Sequence, residues 1–391
     1  MTISVLHVNF SRSGGAGEVA KTLHEEQVRQ GTKSLFYAVI DSSLRHRPLL
    51  APLHTLAAGL DHYVIKQPDF AAPISLVRDR SRAPFPDLAG ASVLHLHGIN
   101  GALPLDALER LPRSHKVVWT LHDMNPFTGA CHYSLGCERF TSHCHECPAV
   151  RQPLRKAIER AHSAKMRVLA GLENLTVVCP STWLANQARQ SSVFKSHNIV
   201  MQPNPVGAGF FAPPLTSLAH DSREFSVVAV ASSLDDPVKN IPLLTEVFAR
   251  EFAGRTNASL TLVGKGGAHF EADNITVAGA LSRGDLRQLL GTSDVLVVPS
   301  LAENAPLVIG EAASQGCVSL VSDVGGMPEQ VKALGAGEVF AGPDRLAQLL
   351  RAQSQVPPSK RRQTRKRLRK NTEALLSPAA VAAEYAKLYS S

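Results

Sequence analysis

The sequence predicts an α/β protein built as two doubly wound domains, each a parallel sheet with helices on both faces. Three observations carry this. Short apolar runs alternate with amphipathic segments through both halves of the chain. The alternation breaks around residues 203–222, in "PNPVGAGFFAPPLTSLAHDS", where Pro, Gly and Ser concentrate, and then restarts. At 391 residues the chain is too long for one ordinary core and about right for two.

In the first half, "ISVLHVNF" reads as a strand, followed by the Gly-rich "SRSGGAGE" and a helical "VAKTLHEEQVRQG". Strands "SLFYAVI", "SVLHLHG" and "KVVWTLHD" follow, then a helix around 154–172, strand "LTVVCPS", a helix around 182–190 and strand "NIVMQPNP". After the break come strand "FSVVAVAS", a helix over 240–252, strands "SLTLVGKG" and "NITVAGA", and a helix over 283–291. Strand "DVLVVPS", a helix over 306–315, strand "CVSLVSD" and a helix near 344–353 complete the alternation. "SPAAVAAEYAKLYS" reads as a last amphipathic helix. The expected divisions are 1–204, 205–375 and a closing helix at 376–391.

Hydrophobic residues make up 44% and charged residues 19%, the balance of a soluble globular protein. No apolar run approaches the ~20 residues of a membrane span. "MTISVLHVNF" has no basic leader region, so a cytoplasmic protein is expected. The net charge is +8, and "KRRQTRKRLRK" at 360–370 holds eight basic residues and no acid. Such a run suits an anionic membrane surface or nucleic acid, or is simply a solvated helix face.

Four of the six cysteines, Cys131, Cys137, Cys144 and Cys147, cluster with spacing C-x5-C-x6-C-x2-C. His132, His143 and His145 are interleaved. The closing C-x2-C has the spacing of a structural zinc half-site; four reduced thiols packed in a loop are the alternative. A closed site would brace the loop and take no part in catalysis. Cys179 and Cys317 each lie beside an apolar strand and read as core residues.

"SLAENAPLVIGEAASQG" sets Glu303 in a loop and Glu311 eight residues later. Pro306 is expected at the first helical position, which would put the open N–H groups and positive dipole end of the helix beside residues 303–306. Glu311 would lie about one and a half turns inside. The pair would then bracket a sugar–phosphate: one carboxylate for vicinal ribose hydroxyls, the other for a second sugar. Near the start of the chain, Gly15-x-Gly17-x-x-Ala20 with Asp41 fits a relaxed dinucleotide fingerprint, but the turn Ser11–Gly14 is longer than that motif wants.

These segments together resemble retaining GT-B glycosyltransferases of family 4, nearly from end to end. The signature is Glu303-x7-Glu311 after "DVLVVPSL", with "EAASQGCVSLVSDVGGMPE". "SGGAGEVAKTLHEEQVRQG" resembles the acceptor loop, and "TLHDMNPFTGACHYSLGCERF…CHECP" a subgroup of colanic-acid-type exopolysaccharide transferases. "VVCPSTWLANQA", "PNPV" and "LTLVGKG" are similar too. The resemblance implies two Rossmann-like domains facing across a cleft, with the C-terminal helix crossing back to the first. It implies a nucleoside-diphosphate-sugar donor on the second domain and a saccharide acceptor, free or lipid-linked, on the first. No catalytic cofactor or divalent metal is implied, and no nucleic acid; 360–370 would suit a peripheral contact with the inner membrane.

By the same resemblance Glu311 binds the nucleotide ribose, and Glu303 contacts the transferred sugar. The N–H groups of Asn304, Ala305 and Leu307, around Pro306, cradle the diphosphate. Lys239 in "SSLDDPVKN" falls where the family places a diphosphate-binding lysine. The family's usual arginine is missing: Ser232, Ser233 and Leu234 stand there, leaving Arg283 or Lys265 as unsupported substitutes. His122, ending "KVVWTLHD", is assigned to the sugar near the reacting carbon, with Asp123 as orienter or acceptor contact. Gly14, Gly15 and Gly17 would let backbone approach a phosphate or acceptor. His95 and His97 in "LHLHG" are expected to face opposite sides of their strand, His97 towards the site and His95 into the core. Rival readings are a GT-B-like sugar-nucleotide epimerase, an NAD-dependent oxidoreductase using Gly15-x-Gly17, and a non-catalytic nucleic-acid binder.

Overall fold

A computed structural model describes residues 3–38, 66–76, 88, 90–99, 103, 105–111, 115–212 and 224–390. Asp41, the end of "SLFYAVI" and residues 213–222 of the interdomain stretch lie outside the described residues. The chain forms two compact units, Met1–Asn204 with Val381–Ser391, and Pro205–Ala380.

The first unit holds six parallel strands: β1 (Ser4–Asn9), β2 (Lys33–Ala38), β3 (Val93–Leu96), β4 (Lys116–Thr120), β5 (Leu175–Cys179) and β6 (Asn198–Met201). Their order is β2-β1-β3-β4-β5-β6. The chain leaves β1 in one direction and returns on its other side as β3. That reversal opens a crevice at the carboxyl ends of β1 and β3, where ligands sit in sheets of this kind. The strand interiors are apolar because both faces are covered: β3 and β5 are buried along their whole length. The last helix, Pro378–Ser390, contributes Tyr385 and Tyr389 to this unit's core.

The second unit repeats the plan with β7 (Phe225–Ser233), β8 (Ala258–Lys265), β9 (Ile275–Gly279), β10 (Val295–Val298), β11 (Val318–Ser322) and β12 (Gly337–Phe340). The order is β12-β11-β10-β7-β8-β9, so its switch point lies between β7 and β10. Two parallel six-stranded sheets with flanking helices match the expected α/β architecture. The strand β12 and the helix Met327–Leu334 were not anticipated; "GEVF" is short and half exposed, with little periodicity to read.

Helix starts differ in one informative place. Pro306 caps the helix Leu307–Gln315 from an extended conformation and does not open it. The helix ends at Gly316 (φ +79), where an added Cβ would lie 2.7 Å from the Cβ of Arg365.

The basic run corrects a simpler expectation. Residues 358–376 form one helix, but its face is not uniformly solvated. Arg365 is 5% exposed and donates to the carbonyls of Gly291 (2.8 Å) and Ser293 (2.6 Å). Arg361 meets the buried Asp294 at 2.7 Å. Lys360, Arg362, Lys366, Arg367 and Lys370 remain exposed. No helix among the described residues is long and apolar enough to cross a membrane.

Two substitutions separate the faces. Arg365→Ala strips two buried carbonyls and Asp294 of a cation, and is expected to cost about 3 kcal/mol or more. Lys366→Ala should stay within about 0.5 kcal/mol of wild type. Calorimetric unfolding checks this; equal melting temperatures would contradict the buried role.

Candidate active site

In the second unit the site grows from the two strands that flank the switch point. β7 is followed by a tight turn, Pro237–Lys239, that Asp236 caps by accepting the Val238 N–H at 3.0 Å. β10 is followed by the loop 299–306. The turn after β11 supports that loop: the Gly326 N–H donates to the Glu303 carbonyl at 3.2 Å. Gly325 (φ +61) is obligatory, because a Cβ there would fall 1.7 Å from that carbonyl oxygen.

The loop thus brings Lys239 and Glu303 together, Nζ donating to Oε1 at 2.5 Å, with Ser300 donating to the same oxygen at 3.3 Å. Glu303 is buried and Lys239 only half so. One turn into the helix, Arg283 donates to Glu311 Oε1 at 2.7 Å. The guanidinium stacks 4.7 Å over the Phe210 ring, and Glu311 is 3% exposed. No side chain caps the helix start. Each buried acid is therefore matched by one cation, beside a helix N-terminus suited to an anion.

Of the substitutes for the missing arginine, Arg283 joins this constellation through Glu311. Lys265 ends β8 and is exposed. Leu234 supplies no cation but is 1% exposed and packs so tightly that a Cβ on Gly267 would lie 2.7 Å from it. Phe210, unpredicted, was visible only as part of the interdomain stretch.

In the first unit the helix Gly14–Arg29 starts directly after β1. The three glycines differ. Gly14 has φ +80; Gly17 packs so closely that a Cβ would lie 2.7 Å from Ser11 O and Arg12 C; Gly15 has open space around it. Only Gly15 leaves its place to a ligand without another structural reason.

The expectation for His95 and His97 is corrected. Their rings lie 4.2 Å apart, on one side. Residues two apart on a strand share a face, so opposite orientations misread the period. Both are buried, and His7, the ladder partner of His95, joins them. His7 Nδ1 and His97 Nε2 are 3.1 Å apart, His97 Nδ1 and His122 Nε2 3.3 Å, and His7 Nε2 and Gln27 Oε1 2.9 Å.

Donor counting fixes the protons on these rings. The Gln27 carbonyl oxygen accepts, so His7 carries its proton on Nε2 and accepts at Nδ1. His97 then donates from Nε2 and accepts at Nδ1 from His122 Nε2–H. His122 is left with an unprotonated Nδ1. On the other side Gln27 donates to the Tyr389 hydroxyl (3.2 Å), which donates to His95 Nδ1 (2.7 Å). His95 Nε2–H donates to Thr120 (2.8 Å), whose hydroxyl donates to Tyr385 (2.8 Å).

His7, His95 and His97 place ring nitrogens within 4.8 Å of one another, a spacing a metal could use. Each ring already engages both nitrogens, so the group is a chain of neutral imidazoles. Burial holds His7 and His122 down to about 4, and His95 and His97 well below the usual histidine range.

The Asp123 charge opposes the downward shift of His122. Its carboxylate accepts from the Asn125 N–H (2.8 Å) and pairs with His132 (2.6 Å). The four clustered cysteines line one cavity. Their thiols sense one another: Cys131 is pushed well above its usual range by hydrogen bonding to Cys147, by burial, and by neighbouring Cys144 and Cys137.

Two six-stranded parallel sheets with flanking helices, each in its own unit, match the GT-B fold. Residues 225–355 match the family described as "Glycosyl transferases group 1". The chain is 24% identical over 355 residues to the putative colanic acid biosynthesis glycosyl transferase WcaC of Escherichia coli (strain K12), covering 81% of this chain and 82% of that protein. Its fold matches sucrose-phosphate synthase from Thermosynechococcus elongatus (TM-score 0.65, 16% identity, 99% and 98% of the two chains). It also matches Anabaena Alr3699/HepE in complex with UDP-glucose (TM-score 0.61, 13% identity, 99% of each chain). The second unit carries a glycosyl transferases group 1 domain, and the protein is a glycosyltransferase.

The histidine chain has a pH signature. The folded values lie below the unfolded 6.5, so the unfolded state binds more protons on acidification. Stability of the first unit should hold above about pH 6.5 and fall towards pH 4, by up to about 1.4 kcal/mol per pH unit for each histidine. Both tryptophans, Trp119 and Trp183, lie in this unit, so their fluorescence isolates it in urea titrations. A midpoint flat across that window would contradict neutral buried rings.

Proposed function

We propose that the protein is a retaining, family 4-type transferase that moves a sugar from a nucleoside diphosphate, UDP first among candidates, to a saccharide acceptor. The observation that carries this reading is the double ion pair around the uncapped helix: Lys239 with Glu303, Arg283 with Glu311. A diphosphate arriving at the helix start competes with Glu303 for Lys239. The lysine turns to the phosphate, and the freed carboxylate accepts from hydroxyls of the transferred sugar. Glu311, held by Arg283, accepts from the ribose. The N–H groups of the 304–307 segment face the diphosphate.

In the transfer step the acceptor hydroxyl bonds to the anomeric carbon on the face from which the diphosphate leaves. The carbon–phosphate oxygen bond breaks, and the hydroxyl proton passes to a β-phosphate oxygen. Lys239 and the helix dipole offset the charge that gathers on the leaving group. His122 is assigned to the sugar near the reacting carbon, and His97, fully buried behind it, positions its ring. Gly15 and its neighbours serve the acceptor. Similarity to WcaC favours an acceptor in envelope polysaccharide assembly. Alr3699/HepE, solved with UDP and UDP-glucose, shares only the fold and makes UDP the first nucleotide to test.

Thermal shift with UDP, GDP and ADP tests the donor site. The matching nucleotide at about a hundred times its Kd should stabilise the protein by ~2.7 kcal/mol, and Glu311→Ala should abolish the shift. Lys239→Ala should lower kcat on the order of 100-fold. No stabilisation by any nucleotide would remove the donor reading.

The exposed basic residues of 360–370 suit a peripheral contact with an anionic membrane carrying a lipid-linked acceptor. Sedimentation with phosphatidylglycerol vesicles should capture the protein at low salt and release it at high salt. Equal capture by neutral vesicles would count against it.

A further inference from the structure

The loop between β4 and the helix Arg155–Ala170 is long, and its regular structure among the described residues is confined to short 3-10 turns, Asn125–Phe127, Arg139–Thr141 and Gln152–Leu154, and two isolated bridges, Lys66–Val150 and Ile74–Cys131. Yet it is buried: Met124, Phe127, Phe140, Ala149 and Val150 are all 3% exposed or less. Irregular backbone at this depth needs a fastening that helices and strands obtain from their own hydrogen bonds.

We propose that Cys131, Cys137, Cys144 and Cys147 form a structural zinc site that fastens this loop. Thiols spread over the loop all reach one cavity of about 20 Å³. That is room for roughly one water-sized sphere. Thr128, Ser134 and Arg139 also border it, but the four cysteines are the lining side chains that suit a soft cation.

The backbone is bent to bring the thiols there. Leu135 (φ 48) and Gly136 (φ 87) turn the chain between Cys131 and Cys137, and Glu146 (φ 46) turns it between Cys144 and Cys147. Left-handed Leu and Glu cost on the order of 1 kcal/mol each, a strain that a bound ion would offset. The Gly129 N–H already donates to Cys144 Sγ at 3.3 Å, as amides do towards a thiolate.

Charge fits as well. Zinc with four thiolates carries two net negative charges. Arg139 and Arg155 act electrostatically on Cys147, and the buried Lys165 on Cys144 and Cys131. Lys165 is otherwise held by the carbonyls of Asn125 (2.6 Å) and Thr128 (2.8 Å), and balances that charge.

The interleaved histidines are not part of the set. His132 is engaged by Asp123 and Ser75, and His143 and His145 are exposed. No three of the four sulfurs lie within 4.8 Å of one another, so binding requires the side chains to rotate towards the shared cavity. Each thiol loses its proton to solvent as the ion binds.

Elemental analysis of protein purified without chelator tests the site. About one zinc per chain is expected. The double variant Cys144→Ser/Cys147→Ser should lose the metal and melt several degrees lower. Should that variant fail to fold, cobalt added to metal-stripped wild type should give the visible bands of tetrahedral thiolate coordination. Zinc absent with all thiols reduced, iron–sulfur absorbance in its place, zinc retained by the double variant, or cobalt without those bands would each overturn the proposal.

Discussion

A parallel sheet buried on both faces has almost no place for a charged side chain except its ends. That constraint organises both units. Strands β3, β5 and β10 are buried throughout, and their flanking helices leave no solvated face. Ionisable groups that act on a ligand are pushed to the carboxyl edge, where the reversal of strand order parts two loops. In the second unit those loops carry Lys239 and Glu303, 64 residues apart in sequence and joined by one hydrogen bond. The sheet's topology, more than any local propensity, decides that they meet.

The polar residues that do enter the sheets show what the constraint demands. His7 and His95 sit in the middle of strands β1 and β3, opposite one another in the ladder. Charging either would place a cation in a dry core. The alternative adopted is neutrality with every nitrogen engaged, and Gln27 supplies the one group whose acceptor and donor ends differ. Its orientation sets the direction of the whole chain, from His122 at one end to Tyr385 at the other. In the second unit Asp294 is buried as well, and there the answer is charge pairing: Arg361 and Arg365 reach it from the basic helix.

The sequence made the alternation of strands and helices legible, because apolar runs separated by amphipathic segments leave few other folds. Glu303, Glu311 and Lys239 were legible as a motif, but their partners were not. Arg283 lies in a different helix, and nothing in its neighbourhood marks it as the companion of Glu311. The histidine chain was misjudged for a plainer reason: the strand period was misapplied to His95 and His97, and His7 passed unnoticed in "ISVLHVNF". Basic residues at 360–370 read as one solvated stripe because composition does not show which side of a helix is covered. Only the packing of Gly316 and Asp294 against it separates Arg365 from Lys366. The start of the helix at Leu307 was a matter of one residue, yet it makes Pro306 the cap and keeps the helix's first N–H groups clear of side-chain partners.

The two ion pairs differ in how firmly they are built, and that difference matters for a site that must exchange ligands. Arg283 is stacked on Phe210 and bonded to an acid that is almost wholly buried, so the carboxylate it orients has little freedom. Both cations reach water, the Lys239 side chain at 23% exposure and Arg283 at 44%, so what separates them is the stacked, planar guanidinium against a flexible lysine stem. Water competes for both cations, but only the lysine can swing to another anion by rotating its stem. A diphosphate brings more negative charge than a carboxylate and adds the helix dipole to its own attraction, so it can displace Glu303 from Lys239 at small cost. The acid released is then the one beside the helix start, where a sugar attached to that diphosphate would lie. The unstacked pair thus serves as a placeholder for the ligand, and the stacked one as the fixed point from which the ligand is measured.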